Sequence, residues 1–186
     1  VLESFLTEAG IMQIFITPDL NYAGAAHADK WIPVLPNTDA AMQCAIAYVW
    51  MTEGLFDRDW VVERSVGFDW FEYYILGKED GIPKTPAWAA PICGVPARQI
   101  KALARYWAQH AVSIGHCSGG GFIRAAYSTE PARLEIALLV MQQLGKPGAG
   151  QMNFMDVGLF GIDDIYPLPR SECQPDLSSV YHGWAM

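Results

Sequence analysis

Residues 111–148 read AVSIGHCSGGGFIRAAYSTEPARLEIALLVMQQLGKPG and contain the pattern that decides the fold. A short apolar run ends at Ile114, a glycine-rich segment occupies 115–121, and an apolar stretch runs from Arg133 to Leu144. This order predicts a strand, a loop and a buried helix. Glycine has no Cβ and tolerates positive φ, so such a loop lets backbone N–H groups approach an anionic ligand. Because the glycine spacing matches neither GxGxxG nor the P-loop, a plain surface turn is the alternative.

The composition of the chain limits the classes of partner. Its 186 residues carry a net charge of −8, and 52% of them are hydrophobic, which predicts one domain or a large piece of one, with a real core. The negative charge argues against nucleic acid or an anionic membrane as the main partner. It does not argue against a phosphorylated cofactor, which needs only local donors.

No apolar run is long enough to span a bilayer, and no signal peptide opens the chain. We expect the N-terminal signal region to be missing from this piece, so the compartment stays open, with the cytoplasm favoured. Because the first residues already read as the middle of a helix, we expect a fragment of a longer polypeptide. The four cysteines form no CxxC pair, which disfavours a zinc or iron–sulfur site, and no residue is predicted to bind a metal.

The first half of the chain places polar residues after two extended runs. Residues 11–17 predict a buried strand, and Thr17, Pro18 and Asp19 lie at its carboxyl end, where ligands bind in open α/β sheets; a plain Pro-Asp turn is the alternative. Residues 31–35 predict a second extended run. Asn37, Thr38 or Asp39 then caps an apolar helix over 40–53, and a carboxylate at Asp39 also suits a guanine or ribose edge.

The middle of the chain predicts a small helical subdomain between strands, with helices over 57–64, 68–76, from Pro86 with Thr85 as its cap, and over 96–109. The sequence after 150 is rich in Gly, Asp and Pro. Such an irregular segment, here 151–186, lines a site or crosses to another domain.

Four stretches resemble, in the same order, the dimethyl sulfoxide reductase family of molybdopterin oxidoreductases. Leu35 to Val61, LPNTDAAMQCAIAYVWMTEGLFDRDWV, is similar to the family's PGTDxAL segment, its apolar helix and its EGLxD. Ile16 to Pro36, Val95 to Ala108 and Gly115 to Gly148 are similar to three further family segments. The resemblance implies an α/β fold: a Rossmann-like parallel-sheet segment with an inserted helical subdomain, in which residues 1–150 are part of the central domain of a larger multidomain enzyme.

The resemblance also implies a bis(molybdopterin guanine dinucleotide) cofactor carrying Mo or W, with Asp39 as the residue that recognises guanine. The other implied contacts are the residues after the two strands and in the glycine loop: Thr17, Pro18, Asp19, Pro36, Thr38, Gly115, His116, Cys117, Ser118, Gly119, Gly120 and Gly121. There are departures, since Asn37 replaces the family's usual Gly, and Thr17 and Leu20 replace its Asp and Arg.

In the family, the metal ligand and any cluster cysteines lie N-terminal to this piece, and a second nucleotide-binding domain lies C-terminal. We therefore expect the fragment alone to be inactive. An iron–sulfur electron-transfer subunit is the implied protein partner.

Two side chains are candidates for chemistry. His116 suits a hydrogen bond to the pterin or acid–base work, with a solvated loop histidine as the alternative. Tyr166 suits a small phenolic substrate, because it can donate to a ring hydroxyl; a surface or interface tyrosine is the alternative. Stretches such as GKEDGIPKTPAWA resemble the transhydroxylases of the family, which implies hydroxyl transfer on trihydroxybenzenes. The rival hypotheses are a non-catalytic Rossmann-like nucleotide-binding module and a structural homologue without cofactor.

Overall fold

The computed structural model describes residues 2–116 and 126–153, which form a helix-rich fold with short strands. In chain order the elements are α1 Leu2–Glu8, β1 Ile14–Ile16, α2 Tyr22–His27, β2 Lys30–Ile32, α3 Asp39–Glu53, α4 Arg58–Arg64, α5 Phe68–Ile75, α6 Pro86–Cys93, α7 Ala97–Ala108, β3 Ser113–His116, α8 Thr129–Met141 and β4 Gly150–Asn153.

The strands form two parallel pairs in the described part of the chain. β1 lies beside β2, with Ile16 opposite Ile32, and β3 lies beside β4, with His116 opposite Asn153. A parallel pair needs a crossover connection, and α2 and α8 lie in the two connections. The fold therefore combines helices with small parallel sheets, and one continuous Rossmann-like sheet stays a prediction.

Helix α3 is the centre of the core. Nine of its fifteen residues are buried, and α6, α7 and α8 pack around it, as its apolar sequence predicts. Trp50 is fully buried; its indole N–H donates to the carbonyl of Ala104 over 2.7 Å, and its ring meets the edge of Trp107 at a centroid distance of 5.1 Å. Cys44 is buried in this core, and burial raises the pKa of its thiol to about 12, so Cys44 is a small core residue rather than a reactive thiol.

A buried lysine fixes the loop between α5 and α6. Lys84 is 2% exposed, and its ammonium donates to the carboxylate of Asp80 and, over 2.7 Å, to the carbonyl of Ile82. The same nitrogen lies 4.5 Å from the ring centre of Tyr74 and 5.5 Å from that of Trp88. Hydrogen bonds and aromatic faces together compensate the loss of water around the charge.

Local signals fix most helix bounds. Thr85 accepts from the N–H of Trp88 over 3.0 Å and Pro86 begins α6, as the sequence predicts. Helix α8 ends earlier than predicted, at Met141 rather than Leu144. It ends because Gln143 takes φ +64° and the N–H of Leu144 bonds back to the carbonyl of Leu139 over 2.9 Å, a Schellman-type closure.

The prediction for the start of the glycine loop is wrong at two residues. Gly115 and His116 belong to β3, because they pair with Met152 and Asn153 of β4. The sequence does not predict β4, and its last three residues fall where an irregular segment is expected. Both the longer β3 and the presence of β4 result from pairing between segments more than thirty residues apart. A local sequence pattern does not indicate such pairing.

Candidate functional site

The candidate site begins with the turn that leads from β2 into α3. The N–H of Thr38 bonds to the carbonyl of Leu35 over 3.3 Å, with Pro36 in the second position of the turn and Asn37 in the third at φ +63°. A positive φ in the third position is what a type II turn requires, and glycine and asparagine adopt it most readily. Asn37 therefore supplies the backbone shape that glycine would supply.

This turn determines which groups are available at the start of α3. The hydroxyl of Thr38 donates to the carbonyl of Leu35 over 2.6 Å, and in the described part of the chain the Thr38 side chain does not cap α3. The N–H of Leu35 bonds to the carbonyl of Cys93 over 2.9 Å and ties the turn to the end of α6. Of the three residues predicted as possible caps, Thr38 occupies the N-cap position, and its side chain gives no acceptor to the positive dipole end of this fifteen-residue helix.

Asp39 lies in the first turn of α3 and is half-buried. Burial is the main cause of a raised pKa for its carboxyl, because the charged form loses water. A hydrogen bond from its own backbone N–H acts in the opposite direction, and the negative charge of Glu135 adds to the rise. Asp39 is therefore a partly dehydrated acceptor, which gains more from ligand N–H donors than an exposed carboxylate would.

Glu135 on α8 links the strand pair β3–β4 to this site through a hydrogen bond. It lies on α8, is 3% exposed, and accepts a hydrogen bond from the side-chain amide of Gln151 on β4. Its negative charge adds to the rise of the Asp39 pKa, and α8, which carries Glu135, packs against α3. The first turn of α3 and the β3–β4 pair therefore belong to one neighbourhood, although 74 residues or more separate them in sequence.

The residues after β1 form a turn at the same sheet edge as the carboxyl end of β2. The N–H of Thr17 bonds to the carbonyl of Ile32 over 3.3 Å, and the indole N–H of Trp31 donates to the carbonyl of Thr17 over 3.1 Å. The hydroxyl of Thr17 donates to the carbonyl of Asp19. Pro18 and Asp19 are exposed. A plain turn explains these bonds, and cofactor contacts by Thr17, Pro18 and Asp19 stay predictions.

Part of the predicted site lies outside the described residues. The structure places Gly115 and His116 at the carboxyl end of β3, the expected edge for a ligand. Cys117, Ser118, Gly119, Gly120, Gly121 and Tyr166 lie outside the residues that the structure describes.

A depression of about 360 Å³ lies at the opposite end of the β3–β4 pair. It is lined by residues at the ends of α3, α7 and α8, including Asp57, His110 and Lys146. Because ligands of parallel sheets bind beyond the carboxyl ends of the strands, we do not assign this depression to the candidate site.

The described residues contain neither a group arranged to hold a metal ion nor a membrane-spanning helix. In 2–116 and 126–153, no group of three or more His, Cys, Asp or Glu side chains is arranged to hold a metal ion. Within the same residues, every helix is too short or too polar to cross a bilayer.

Two members of the site, Glu135 and Gln151, are missed by sequence reasoning. A glutamate inside the apolar run from Leu134 to Met141 is a usable signal, because a buried carboxylate is uncommon without a partner. Gln151 carries no such signal, since its position depends on β4.

The donors and acceptors that remain suit one kind of ligand. A half-buried carboxylate accepts from adjacent N–H donors, such as N1–H and N2–H₂ of a guanine. The N-terminus of α3 favours a nearby anionic group such as a phosphate. A ligand that combines N–H donors with an anionic group is therefore compatible with these residues.

The chain is similar in sequence to several known enzymes. The large subunit of pyrogallol hydroxytransferase from Pelobacter acidigallici is 41% identical over 152 residues, which are 80% of this chain and 17% of that protein. The dimethyl sulfoxide reductase DmsA of Haemophilus influenzae is 40% identical over 117 residues, covering 56% of this chain and 14% of that protein. The dimethyl sulfoxide/trimethylamine N-oxide reductase of Cereibacter sphaeroides is 33% identical over 147 residues, covering 78% of this chain and 18% of that protein.

This chain spans less than a fifth of the length of these curated relatives. No protein-family profile matches it. Among solved structures, acetylene hydratase from Pelobacter acetylenicus is similar with a TM-score of 0.60 and 22% identity, over 75% of this chain and 18% of that one. At this identity the likeness concerns the fold alone. The sequence identity of 33–41% to the hydroxytransferase and reductases shows that the chain belongs to the molybdopterin oxidoreductase family.

Proposed function

We propose that this chain is part of the cofactor-binding region of a molybdopterin-dependent oxidoreductase, and that Asp39 binds a guanine of bis(molybdopterin guanine dinucleotide) carrying Mo or W. The observation that carries the proposal is the half-buried carboxylate of Asp39 in the first turn of α3, where Thr38 is turned away. Two adjacent N–H groups of guanine match the two oxygens of one carboxylate.

The other contacts follow from the sheet edge. We propose that Thr17, Pro18 and Asp19 approach the nucleotide from the end of β1, and that Pro36 and Thr38 shape the turn before α3. The segment Gly115, His116, Cys117, Ser118, Gly119, Gly120 and Gly121 would approach the pterin and phosphate groups. A Rossmann-like sheet in a domain that includes residues 1–150, and a segment 151–186 that lines the site, complete this arrangement.

When bound, the cofactor supplies the metal-centred redox and oxygen-transfer chemistry that side chains lack. The chain's own part is to bind and orient it. We propose His116 and Tyr166 as the residues that move a proton at the substrate, His116 through its imidazole and Tyr166 through its phenol. An iron–sulfur subunit is the proposed electron-transfer partner; the hydroxytransferase relative is itself described as a large subunit.

Hydroxyl transfer on trihydroxybenzenes is the proposed reaction. It is supported by 41% identity to a pyrogallol hydroxytransferase over 80% of the chain, a longer match than that to the reductase DmsA, which covers 56%. Because those shares of sequence do not decide a substrate, activity on trihydroxybenzenes in the intact protein is the test. Turnover of a different substrate in its place would overturn this reaction and leave the cofactor proposal standing.

The cofactor is tested in the intact protein by elemental analysis for Mo and W together with the guanine nucleotide that acid releases. The proposal expects one metal and two guanine nucleotides per polypeptide. A nucleotide without metal would support the non-catalytic nucleotide-binding module instead. Neither metal nor nucleotide would support a structural homologue without cofactor and would contradict the proposal.

A further inference from the structure

We infer that Tyr127 is a substrate-binding residue: its phenol, presented beyond the carboxyl ends of β3 and β4, contacts the ring and a hydroxyl of a small phenolic substrate. The inference rests on the proposed function, because it adds a residue to the same site and names what that residue binds. Neither the sequence pattern nor the similarity to known proteins assigns Tyr127 to a site.

The backbone of Tyr127 has a conformation that a tyrosine adopts only at a cost. In residues 2–116 and 126–153, three residues other than glycine have a positive φ: Asn37 at +63°, Tyr127 at +58° and Gln143 at +64°. Asparagine tolerates this region, and Gln143 forms the turn that closes α8. For a bulky aromatic residue a positive φ is a genuine outlier. Because glycine would remove the strain, the Tyr127 side chain needs an explanation of its own.

Packing does not supply that explanation. The Tyr127 side chain is 86% exposed, and among the described residues its hydroxyl has no hydrogen-bond partner. The backbone carbonyl of Tyr127 accepts from the N–H of Glu130 over 3.0 Å at the start of α8, but any residue offers such a carbonyl. A strained backbone that carries an exposed, unpartnered functional group is typical of ligand sites.

The course of the chain places Tyr127 at the ligand edge of the β3–β4 pair. Helix α8 lies in the crossover between the two strands, and its last residue, Met141, lines the depression at their amino ends. Its middle residue, Glu135, bonds to Gln151 of β4. Thirteen helical residues span about 20 Å and a four-residue strand about 13 Å, so the start of α8 extends past the strands. Tyr127, which precedes this start, therefore lies beyond the carboxyl ends, where parallel sheets bind ligands.

The chemistry of the side chain indicates the class of ligand. A phenol offers a flat apolar face and one hydroxyl that both donates and accepts. On the neighbouring part of α8, the guanidinium of Arg133 lies 3.4 Å from the carboxylate of Glu130, and this pair favours neither an anionic nor a cationic ligand. A neutral ring with hydroxyl groups, such as a trihydroxybenzene, matches both the face and the hydroxyl of Tyr127.

The test measures turnover of pyrogallol by the intact, cofactor-loaded protein. Tyr127→Phe keeps the ring and removes the hydroxyl, so KM should rise about three- to tenfold while kcat changes less than about twofold, the pattern of lost binding. Tyr127→Gly removes the ring and the strain together. Its KM should rise more than about tenfold, while the melting temperature stays the same or increases. A purely structural role would not combine a higher KM with an unimpaired fold.

Two control variants should leave KM unchanged. Gln143→Gly relieves a positive φ at the other end of α8, and Tyr73→Phe removes the hydroxyl of another exposed tyrosine, on α5.

An unchanged KM in both Tyr127 variants, with the metal and nucleotide content of the unmodified protein, would overturn the binding role and leave the proposed function standing. A loss of metal or nucleotide in these variants would also overturn it, because Tyr127 would then hold the cofactor. If the unmodified protein did not turn over pyrogallol, the proposed reaction and this inference would both be refuted.

Discussion

Glu135 and Asp39 are carboxylates on two different helices; burial is the main cause of the raised pKa of the half-buried Asp39 carboxyl, and the negative charge of the buried Glu135 adds to the rise. Asp39 starts α3, the helix around which the core is built, while Glu135 is linked through Gln151 to the last described strand. The start of the central helix and the distant strand pair are thereby joined in one polar neighbourhood.

Replacing Asp39 by Asn should weaken the binding of guanine nucleotide. The amide keeps the shape but offers one acceptor and one donor where guanine needs two acceptors. Hydrogen bonds to a charged group contribute about 1.5–3 kcal/mol each, so GMP affinity of the cofactor-free intact protein should fall at least roughly tenfold. Asp59→Asn, in the first turn of α4, is the control and should bind like the unmodified protein. Equal affinity of Asp39→Asn and the unmodified protein would remove Asp39 from the site.

Without ligand, the same substitution should stabilise the fold, and the gain should depend on pH. The pKa of Asp39 in the folded state is raised above its ordinary value of 3.8. Between pH 3.8 and the raised pKa, the folded state therefore binds more protons than the unfolded state. The unmodified protein therefore loses stability relative to Asp39→Asn as the pH rises above 3.8, and the difference levels off above the raised pKa. The measurement is the difference in free energy of unfolding against pH. A difference that is constant with pH, or that reverses sign, would show that the folded state does not disfavour ionised Asp39.

Lys84 should stabilise the loop between α5 and α6 despite its charge. Lys84→Met keeps most of the volume but leaves the carbonyl of Ile82 without its donor and removes the ammonium from the rings of Tyr74 and Trp88. We expect a loss of about 2 kcal/mol in the free energy of unfolding, measured by urea titration. Lys101→Met is the matched control, because Lys101 is half-exposed and its ion pair with Glu53 lies at the surface, so its effect should be much smaller. Equal effects of the two substitutions would contradict a special role for Lys84.

Gly77 should tolerate no side chain, for a reason separate from its backbone angle. Gly77 and Gly81 have nearly the same φ, +73° and +75°. A Cβ at Gly77 would lie 2.3 Å from the nitrogen of Pro83, whereas one at Gly81 would meet nothing within 4 Å. Gly81→Ala should cost about 1 kcal/mol for the left-handed conformation, and Gly77→Ala clearly more, as measured by thermal unfolding. Similar costs at the two positions would mean that the loop moves aside easily.

The sequence predicts the elements whose signals are local. The apolar stretch of α3, the Thr85 cap and the proline at the start of α6 each act within one helix, and the structure confirms them. Strand β4 and the extension of β3 to His116 depend on pairing across more than thirty residues. A local pattern of the kind AGQMN gives no indication of such a partner.

In the candidate site, too, features that depend on local sequence are predicted, and features that depend on tertiary packing are not. The position of Asp39 at the start of α3 follows from local sequence and is confirmed. The turn made by Asn37 determines that the Thr38 hydroxyl bonds to Leu35 and does not cap the helix. The effect of the Glu135 charge on the pKa of Asp39 depends on how α8 packs on α3. Tertiary geometry, rather than residue type, decides these features.

The central claim is that Asp39 binds guanine, and an experimental structure of the intact, cofactor-loaded protein tests it most directly. The decisive quantities are the distances from the two carboxylate oxygens of Asp39 to N1 and N2 of the nearest guanine. We predict that both distances are about 3 Å, the length of an N–H···O hydrogen bond. A guanine held by other residues, with Asp39 facing solvent or another side chain, would contradict the account.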